Sequence, residues 1–209
     1  MQTIQNKYTY LCNKSSDINE HLPTLNLYAK ECTSIFETGV RGCISSWALC
    51  HGLLDNPDAS GNRYMLLNDI DECDITEFLE CTKELDVHVD SKWMNNLNLQ
   101  MNRTFDMTFI DTWHVYGQLK RELAKFAPIT NKYIIMHDTT VDEWEGESIR
   151  QHYDVDAQVK FSGFPRDEIT RGLWPAISEF LSAHPEWVLH QQFTNNNGLT
   201  ILKRVSPNI

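Results

Sequence analysis

Short apolar runs that end in an acid or an imidazole recur along this chain, separated by stretches with helical spacing, and that alternation leaves few folds open. Ile35 and Phe36 run into Glu37, and Tyr64 to Ile70 (YMLLNDI) carries Asp69 near its end, with Asp71 following. Val87 to Val89 leads to Asp90, Phe105 to Ile110 (FDMTFI) to Asp111, and Tyr133 to Met136 to His137 and Asp138. Runs this short and this uniformly apolar predict strands buried on both faces. Between them, Asp17 to Cys32, Ile44 to Leu54, Ile75 to Leu85 and Val115 to Phe126 space apolar residues three and four apart, as helices do. The alternation predicts an α/β chain with a Rossmann-like, doubly wound and mostly parallel sheet, helices on both faces. Leu173 to Leu181 adds a helix, with Pro175 tolerable in its first turn, and Trp187 to Phe193 and Leu199 to Lys203, joined by TNNNG, predict a closing antiparallel hairpin.

The first strand-to-helix junction reads SIFETGVRGCISSW from Ser34 to Trp47. Glycines there let the backbone bend sharply and approach a ligand, while the free N–H groups of the new helix present partial positive charge. A nucleotide-like cofactor is the expected occupant, with an ordinary strand-to-helix turn as the alternative. In open α/β sheets ligands lie beyond the carboxyl ends of the strands, where this sequence collects its acids. Nicotinamide, P-loop and serine-hydrolase chemistry are not supported. No G-x-G-x-x-G is present, no lysine follows the glycines, and no G-x-S-x-G elbow occurs.

A chain of 209 residues, 41% of them hydrophobic, can bury a sizeable core, so residues 17–209 are expected to form a single domain. Residues 1–16 are polar and predict an irregular stretch or a loosely held N-terminal arm. From Thr139 to Arg171 no period is visible, and a loop of that length predicts a lid or binding segment. A formal charge of −11 with no stripe of Lys and Arg argues against nucleic acid and anionic membranes as partners. No apolar run approaches the roughly 20 residues of a bilayer span, and MQTIQNKYTY lacks the apolar centre of a signal peptide. Six cysteines without C-x-x-C spacing suit reduced thiols, so the expected location is the cytoplasm. Assembly into a homo-oligomer is left open.

FETGVRGCISSW, FIDTWHVYGQLKREL, YIIMHDT, GLWPAISEFLSAHPEW and NNNGLTILKR, taken together, resemble the class I S-adenosylmethionine-dependent methyltransferases from about Asp17 to Arg204. Within that superfamily the likeness is to the small-molecule and sugar O-methyltransferase branch that includes cephalosporin-hydroxylase-like proteins. The resemblance implies a seven-stranded sheet with a reversed last strand, S-adenosylmethionine as cofactor and a small polar acceptor such as a sugar. It implies that Glu37 and Gly39 touch the methionine end of the cofactor, that Arg41 and Gly42 shape the turn, that Asp69 accepts from the ribose hydroxyls and that Asp90 lies near the adenine, with Asp111 also beside the cofactor. Cys43 departs from the family, where a second glycine is common.

Asp111, His137 and Asp138 match positions that bind a divalent cation in metal-assisted members of this branch. Methyl transfer to a hydroxyl needs an oxygen at least partly deprotonated, and a metal supplies that as a Lewis acid. Two carboxylates suit magnesium, whereas a histidine ligand shifts preference toward manganese, iron or zinc. Alternatively His114 or His137 takes the proton directly, which places Asp111, His114 and His137 as catalytic candidates. Plainer readings exist for each. Asp111 could cap the following helix, His114 could sit in that helix's first turn as a loop partner, and Glu145 and Glu147 could be solvated. The competing functions are a metal-dependent hydroxylase or hydrolase using Asp111, His114 and His137, and a non-catalytic binding protein on the same scaffold.

Overall fold

A computed structural model describes residues 1–59 and 61–205; Ser60, inside the turn-rich stretch 55–61, and residues 206–209 lie outside the described residues. The chain divides into two compact units, Met1–Ile110 and Asp111–Ile209.

The first unit contains α1 (Gln2–Asn13), α2 (Leu22–Ala29), β1 (Ser34–Thr38), α3 (Ile44–Asp55), β2 (Tyr64–Asp69), α4 (Thr76–Thr82), β3 (His88–Trp93) and β4 (Phe105–Ile110). β1 pairs in parallel with β2, Glu37 opposite Leu67, and with β4, Glu37 opposite Phe109. Every residue of β1 and β4 is buried, including the polar Ser34, Glu37 and Thr38 of the first and Asp106 and Thr108 of the second. Among the described residues of this unit β3 pairs with β2, and it is only half-buried. Its polar sequence HVDSKW hides it from a hydrophobicity reading, so the strand runs four residues beyond the Val87 to Val89 expected.

Within residues 1–16 the stretch Gln2–Asn13 is helical where an irregular one was expected. Ile4, Tyr8 and Leu11 recur at intervals of four and three and give α1 one apolar side, on which Ile4 and Leu11 are buried and Tyr8 stacks against His51 at 4.8 Å. On the polar side Lys7 reaches Glu77 at 2.6 Å.

The second unit contains α5 (Tyr116–Phe126), β5 (Thr130–His137), α6 (Glu147–Arg150), α7 (Val155–Ser162), α8 (Arg166–Thr170), α9 (Leu173–Ala183), β6 (Trp187–Phe193) and β7 (Leu199–Arg204). β7 runs antiparallel to β5, Ile135 opposite Ile201, and to β6, Leu189 opposite Leu202. The segment 139–171, which carries no period in sequence, holds the three short helices α6, α7 and α8. It is stitched to the start of α9: Glu145 bridges Arg171, Gly172 N–H donates to Trp144 O at 2.9 Å, and Leu173 N–H donates to Asp142 O at 2.8 Å. Across the chain the strand order is β3-β2-β1-β4-β5-β7-β6, a seven-stranded, mostly parallel α/β sheet with an antiparallel C-terminal hairpin, as expected. Among the described residues no helix is long and apolar enough to cross a membrane.

Close packing of α2 against α3 rests on Gly52. A Cβ there would lie 2.3 Å from the Asn26 carbonyl oxygen and 2.7 Å from the Ala29 Cβ. Alanine is roughly 1 kcal/mol better than glycine inside a helix, but overpacking against a fixed backbone costs about 1–3 kcal/mol. Gly52→Ala should therefore destabilise the protein in urea unfolding. A stabilised variant would mean that α2 can move aside.

Candidate functional site

Two groups of side chains, one in each unit, hold the residues singled out by sequence. In the first unit the turn after β1 is built from left-handed backbone: Gly39 has φ 91°, Arg41 φ 42° and Cys43 φ 58°. Only the first is a glycine, and non-glycine residues adopt this region at a cost of order 1–2 kcal/mol. Cys43, N-terminal to α3, occupies a position where a Cβ is a burden, and burial pushes its thiol up to about 12. Gly42 is not left-handed, and an added Cβ there would meet Ile44, at 3.8 Å, so it leaves open space beside the turn.

Asp69 ends β2 and ties this turn down: its Oδ2 accepts the Arg41 backbone N–H at 2.9 Å and its Oδ1 the Ile70 N–H at 2.7 Å. A carboxylate has about four lone-pair positions, so acceptor capacity remains. Gly39 N–H donates to the Asn68 carbonyl at 2.8 Å, and the Arg41 guanidinium pairs with Asp17 at 2.6 Å. Glu37 is fully buried in β1 and accepts a short hydrogen bond from the Ser45 hydroxyl on α3. Asn68, which the sequence reading passed over, joins three strand ends. Its amide donates to Lys92 O at 2.7 Å and Met94 O at 2.9 Å, and its oxygen accepts from Thr38 at 2.8 Å. Asp90 needs correcting. It lies inside β3, opposite Leu66, about 10 Å short of the strand end at Trp93. There it accepts from the Tyr64 hydroxyl at 2.8 Å and faces His88 at 3.3 Å.

In the second unit Asp111, His114, His137 and Asp138 converge. His114 Nε2 lies 3.2 Å from Asp111 Oδ1, and His114 Nδ1 lies 3.2 Å from Asp138 Oδ2. His137 Nδ1 is 3.3 Å from Asp111 Oδ1 and 3.5 Å from Asp138 Oδ2, while its Nε2 lies 3.2 Å from the Asn196 carbonyl. Asp138 holds a left-handed φ of 57°, a conformation that aspartate tolerates better than most residues. Two simpler readings are corrected here. Asp111 caps no helix, since α5 starts after Val115 without a side-chain cap, and His114 sits in the loop before that helix. Glu147 is not a solvated charge: it accepts the His114 backbone N–H at 3.3 Å, and its Oε2 lies 3.7 Å from the His114 ring.

Sequence reading missed Asp142 altogether. It is completely buried, its carboxylate stands 3.3 Å from His114 Nδ1, and Arg150 grips both its oxygens, at 2.6 and 2.8 Å. The one signal available was its spacing of four from Asp138, whose carbonyl accepts the Asp142 N–H at 3.1 Å.

Charges in this cluster compensate one another. Burial alone would raise the Asp111 carboxyl, but the His114 and His137 imidazoles hold it far below the ordinary range. Burial likewise opposes the charged form of His114, yet Asp111 and Asp142 raise its proton affinity well above the usual value; His137 is raised mainly through Asp111. Asp142 stays low because Arg150 and His114 outweigh its burial, whereas burial prevails at Asp138 and raises it. The set also fits a divalent cation. One donor atom each from Asp111, His114 and Asp138 lie within 4.8 Å of one another, and Asp138 Oδ1 is buried without a hydrogen-bond partner among the described residues.

No protein-family model matches this sequence, and none of the curated proteins does. Solved structures do match along nearly the whole chain. An O-methyltransferase from Bacillus cereus in complex with SAH is 13% identical, with 98% of this chain and 91% of that one covered and a TM-score of 0.60. A methyltransferase from Podospora anserina bound to SAH is 12% identical, with 97% and 88% covered and a TM-score of 0.57. An O-methyltransferase from Streptomyces achromogenes in complex with SAM is 12% identical, with 92% and 82% covered and a TM-score of 0.55. At these identities the likeness is one of fold.

Raised imidazoles have a measurable consequence. Their contribution to stability is complete below the ordinary histidine value of about 6.5 and is lost as pH climbs toward the folded-state values. In chelating buffer the thermal midpoint should fall as pH rises from about 6.5, and His114→Gln should flatten that slope. A wild-type midpoint indifferent to pH in this range would show that the imidazoles are not held protonated.

Proposed function

We propose that this protein is an S-adenosylmethionine-dependent methyltransferase acting on a hydroxyl of a small polar acceptor such as a sugar. The observation that carries the reading is the Asp69 carboxylate bonded to the Arg41 N–H, which seats an anionic acceptor at the end of β2 directly against a left-handed glycine turn. A nucleoside cofactor needs both parts: backbone that allows close approach and an acid for its ribose hydroxyls. The fold shared with SAM- and SAH-bound methyltransferases supports the same conclusion.

In this reading Gly39, Arg41, Gly42 and Glu37 shape the methionine end and Asp69 takes the ribose. Asp90, given its bonds inside β3, has no part. The acceptor oxygen meets Asp111, His114 and His137. As the new C–O bond forms, the C–S bond of the sulfonium breaks and sulfur keeps the electron pair. The hydroxyl proton passes to the His114 ring, which Asp111 orients. Because carboxylates raise the proton affinity of that ring, it is a strong base only once deprotonated, so turnover should increase with pH above neutrality. A divalent ion, magnesium or manganese, would be held by Asp111, His137 and Asp138 and would supply Lewis acidity to the acceptor oxygen.

The same cluster also suits a metal-dependent hydroxylase or hydrolase, and calorimetry separates the readings. S-adenosylhomocysteine should bind saturably without added metal, and Asp69→Ala should weaken it at least tenfold, about 1.4 kcal/mol. Metal binding with no heat from S-adenosylhomocysteine would favour the second reading and overturn the first.

A further inference from the structure

We propose that the tip of the closing hairpin, Asn196 to Gly198, is a positioning element for the acceptor site: its Asn196 carbonyl commits Nε2 of His137 as a hydrogen donor and so turns Nδ1 toward Asp111. That role rests on the reading given above, in which His137 meets the acceptor oxygen.

The tip is longer and more strained than its connection requires. Phe193 pairs with Leu199, so residues 194–198 join β6 to β7, although two residues are enough to join antiparallel strands. Three residues in succession are left-handed, Asn196 at φ 45°, Asn197 at 69° and Gly198 at 97°. Asparagine visits that region as a single residue, and a succession of this kind persists only where the surroundings over-determine it. Here they do. Asn197 O accepts the N–H groups of Thr140 at 2.9 Å and Val141 at 3.0 Å, and Gly198 N–H donates to Asn195 O at 2.9 Å. Gly198 comes so close to the turn after β5 that an added Cβ would stand 2.3 Å from Thr140 Oγ1 and 2.5 Å from Thr140 N. The tip is thereby clamped onto Thr140 and Val141, just past His137, whose strand partner is Leu199.

What the clamp delivers is a carbonyl. Asn196 O lies 3.2 Å from His137 Nε2. A carbonyl oxygen can only accept, so Nε2 carries a hydrogen whether or not Nδ1 does. The same contact fixes which way round the ring sits, because an imidazole turned over about its Cβ–Cγ bond exchanges each nitrogen for a carbon and would lose it. With Nε2 committed, Nδ1 is the nitrogen left facing Asp111 Oδ1 at 3.3 Å and Asp138 Oδ2 at 3.5 Å. A ring turned over would present carbon to both. The direction of the Asn196 carbonyl is set in turn by φ of Asn197, since the two share one peptide plane.

Asn197 is therefore the position to change. Heteronuclear NMR of the full chain with isotopically labelled histidine, in chelating buffer, reports which ring nitrogen carries hydrogen, and His137→Gln identifies the His137 signals. Wild type should show hydrogen on Nε2. Asn197→Val, whose branched side chain disfavours a left-handed φ, should shift the Nε2 signal and speed exchange of its hydrogen with water roughly tenfold. Asn197→Gly keeps that φ without steric cost and should retain the wild-type signature. A cooperative thermal transition checks that both variants fold. A bare Nε2 in wild type, a folded Asn197→Val with wild-type signature and exchange, or equal loss in Asn197→Gly would each overturn the inference. Calorimetry of wild type with S-adenosylhomocysteine keeps the two readings apart: no heat beside an intact Nε2–H signature would sink the cofactor assignment while the positioning of His137 stood.

Discussion

Charge compensation around one imidazole organises the second unit. His114 faces Asp111, Asp138 and Asp142 within 3.3 Å and Glu147 at 3.7 Å, and with His137 and Arg150 it offsets the burial of Asp111 and Asp142. The acids come from the end of β4, the turn after β5 and the start of the segment that follows. One ring therefore fixes where three separate stretches of chain must meet. Arg150 closes the arrangement by taking both oxygens of Asp142. Such a network stabilises only while all its members are present, because removing one leaves a buried charge without a partner.

In the first unit the organising constraint lies in the backbone. Three of the five residues from Gly39 to Cys43 are left-handed, and the bend they create is held by Asp69 through the Arg41 N–H and by Asn68 through Gly39. Asn68 also links β3 to β1 by way of Lys92, Met94 and Thr38. These strand ends are thus held together by the Asp69 carboxylate, the Asn68 amide and backbone hydrogen bonds. Strain at Arg41 and Cys43 is tolerated because these bonds overdetermine the turn.

Legibility followed burial. Ile35 and Phe36 of β1, Met107, Phe109 and Ile110 of β4, and Tyr133 to Met136 of β5 were readable because strand residues buried on both faces of a sheet favour apolar side chains. β3 is only half-buried, so its polar residues carried no signal, and Asp90 was assigned to a strand end it does not occupy. α1 was obscured because three apolar residues are enough for a helix that covers only one side. The segment 139–171 has no period since its three helices are short, and what orders it is a set of backbone bonds to the start of α9.

By itself the sequence determined the alternation of strands and helices, the glycine turn, and the placing of Asp69, Asp111, His137 and Asp138 at strand ends. Each of these follows from local periodicity or from a residue's position along its own strand. Only the tertiary structure decided that His114 faces Asp138 as well as Asp111, that Asp142 and Arg150 stand behind it, and that Gly42 leaves space where Cys43 bears the strained conformation. The reason is physical: a carboxylate's partner is set by distance in space, and neither that distance nor the sign of a backbone angle appears in residue spacing.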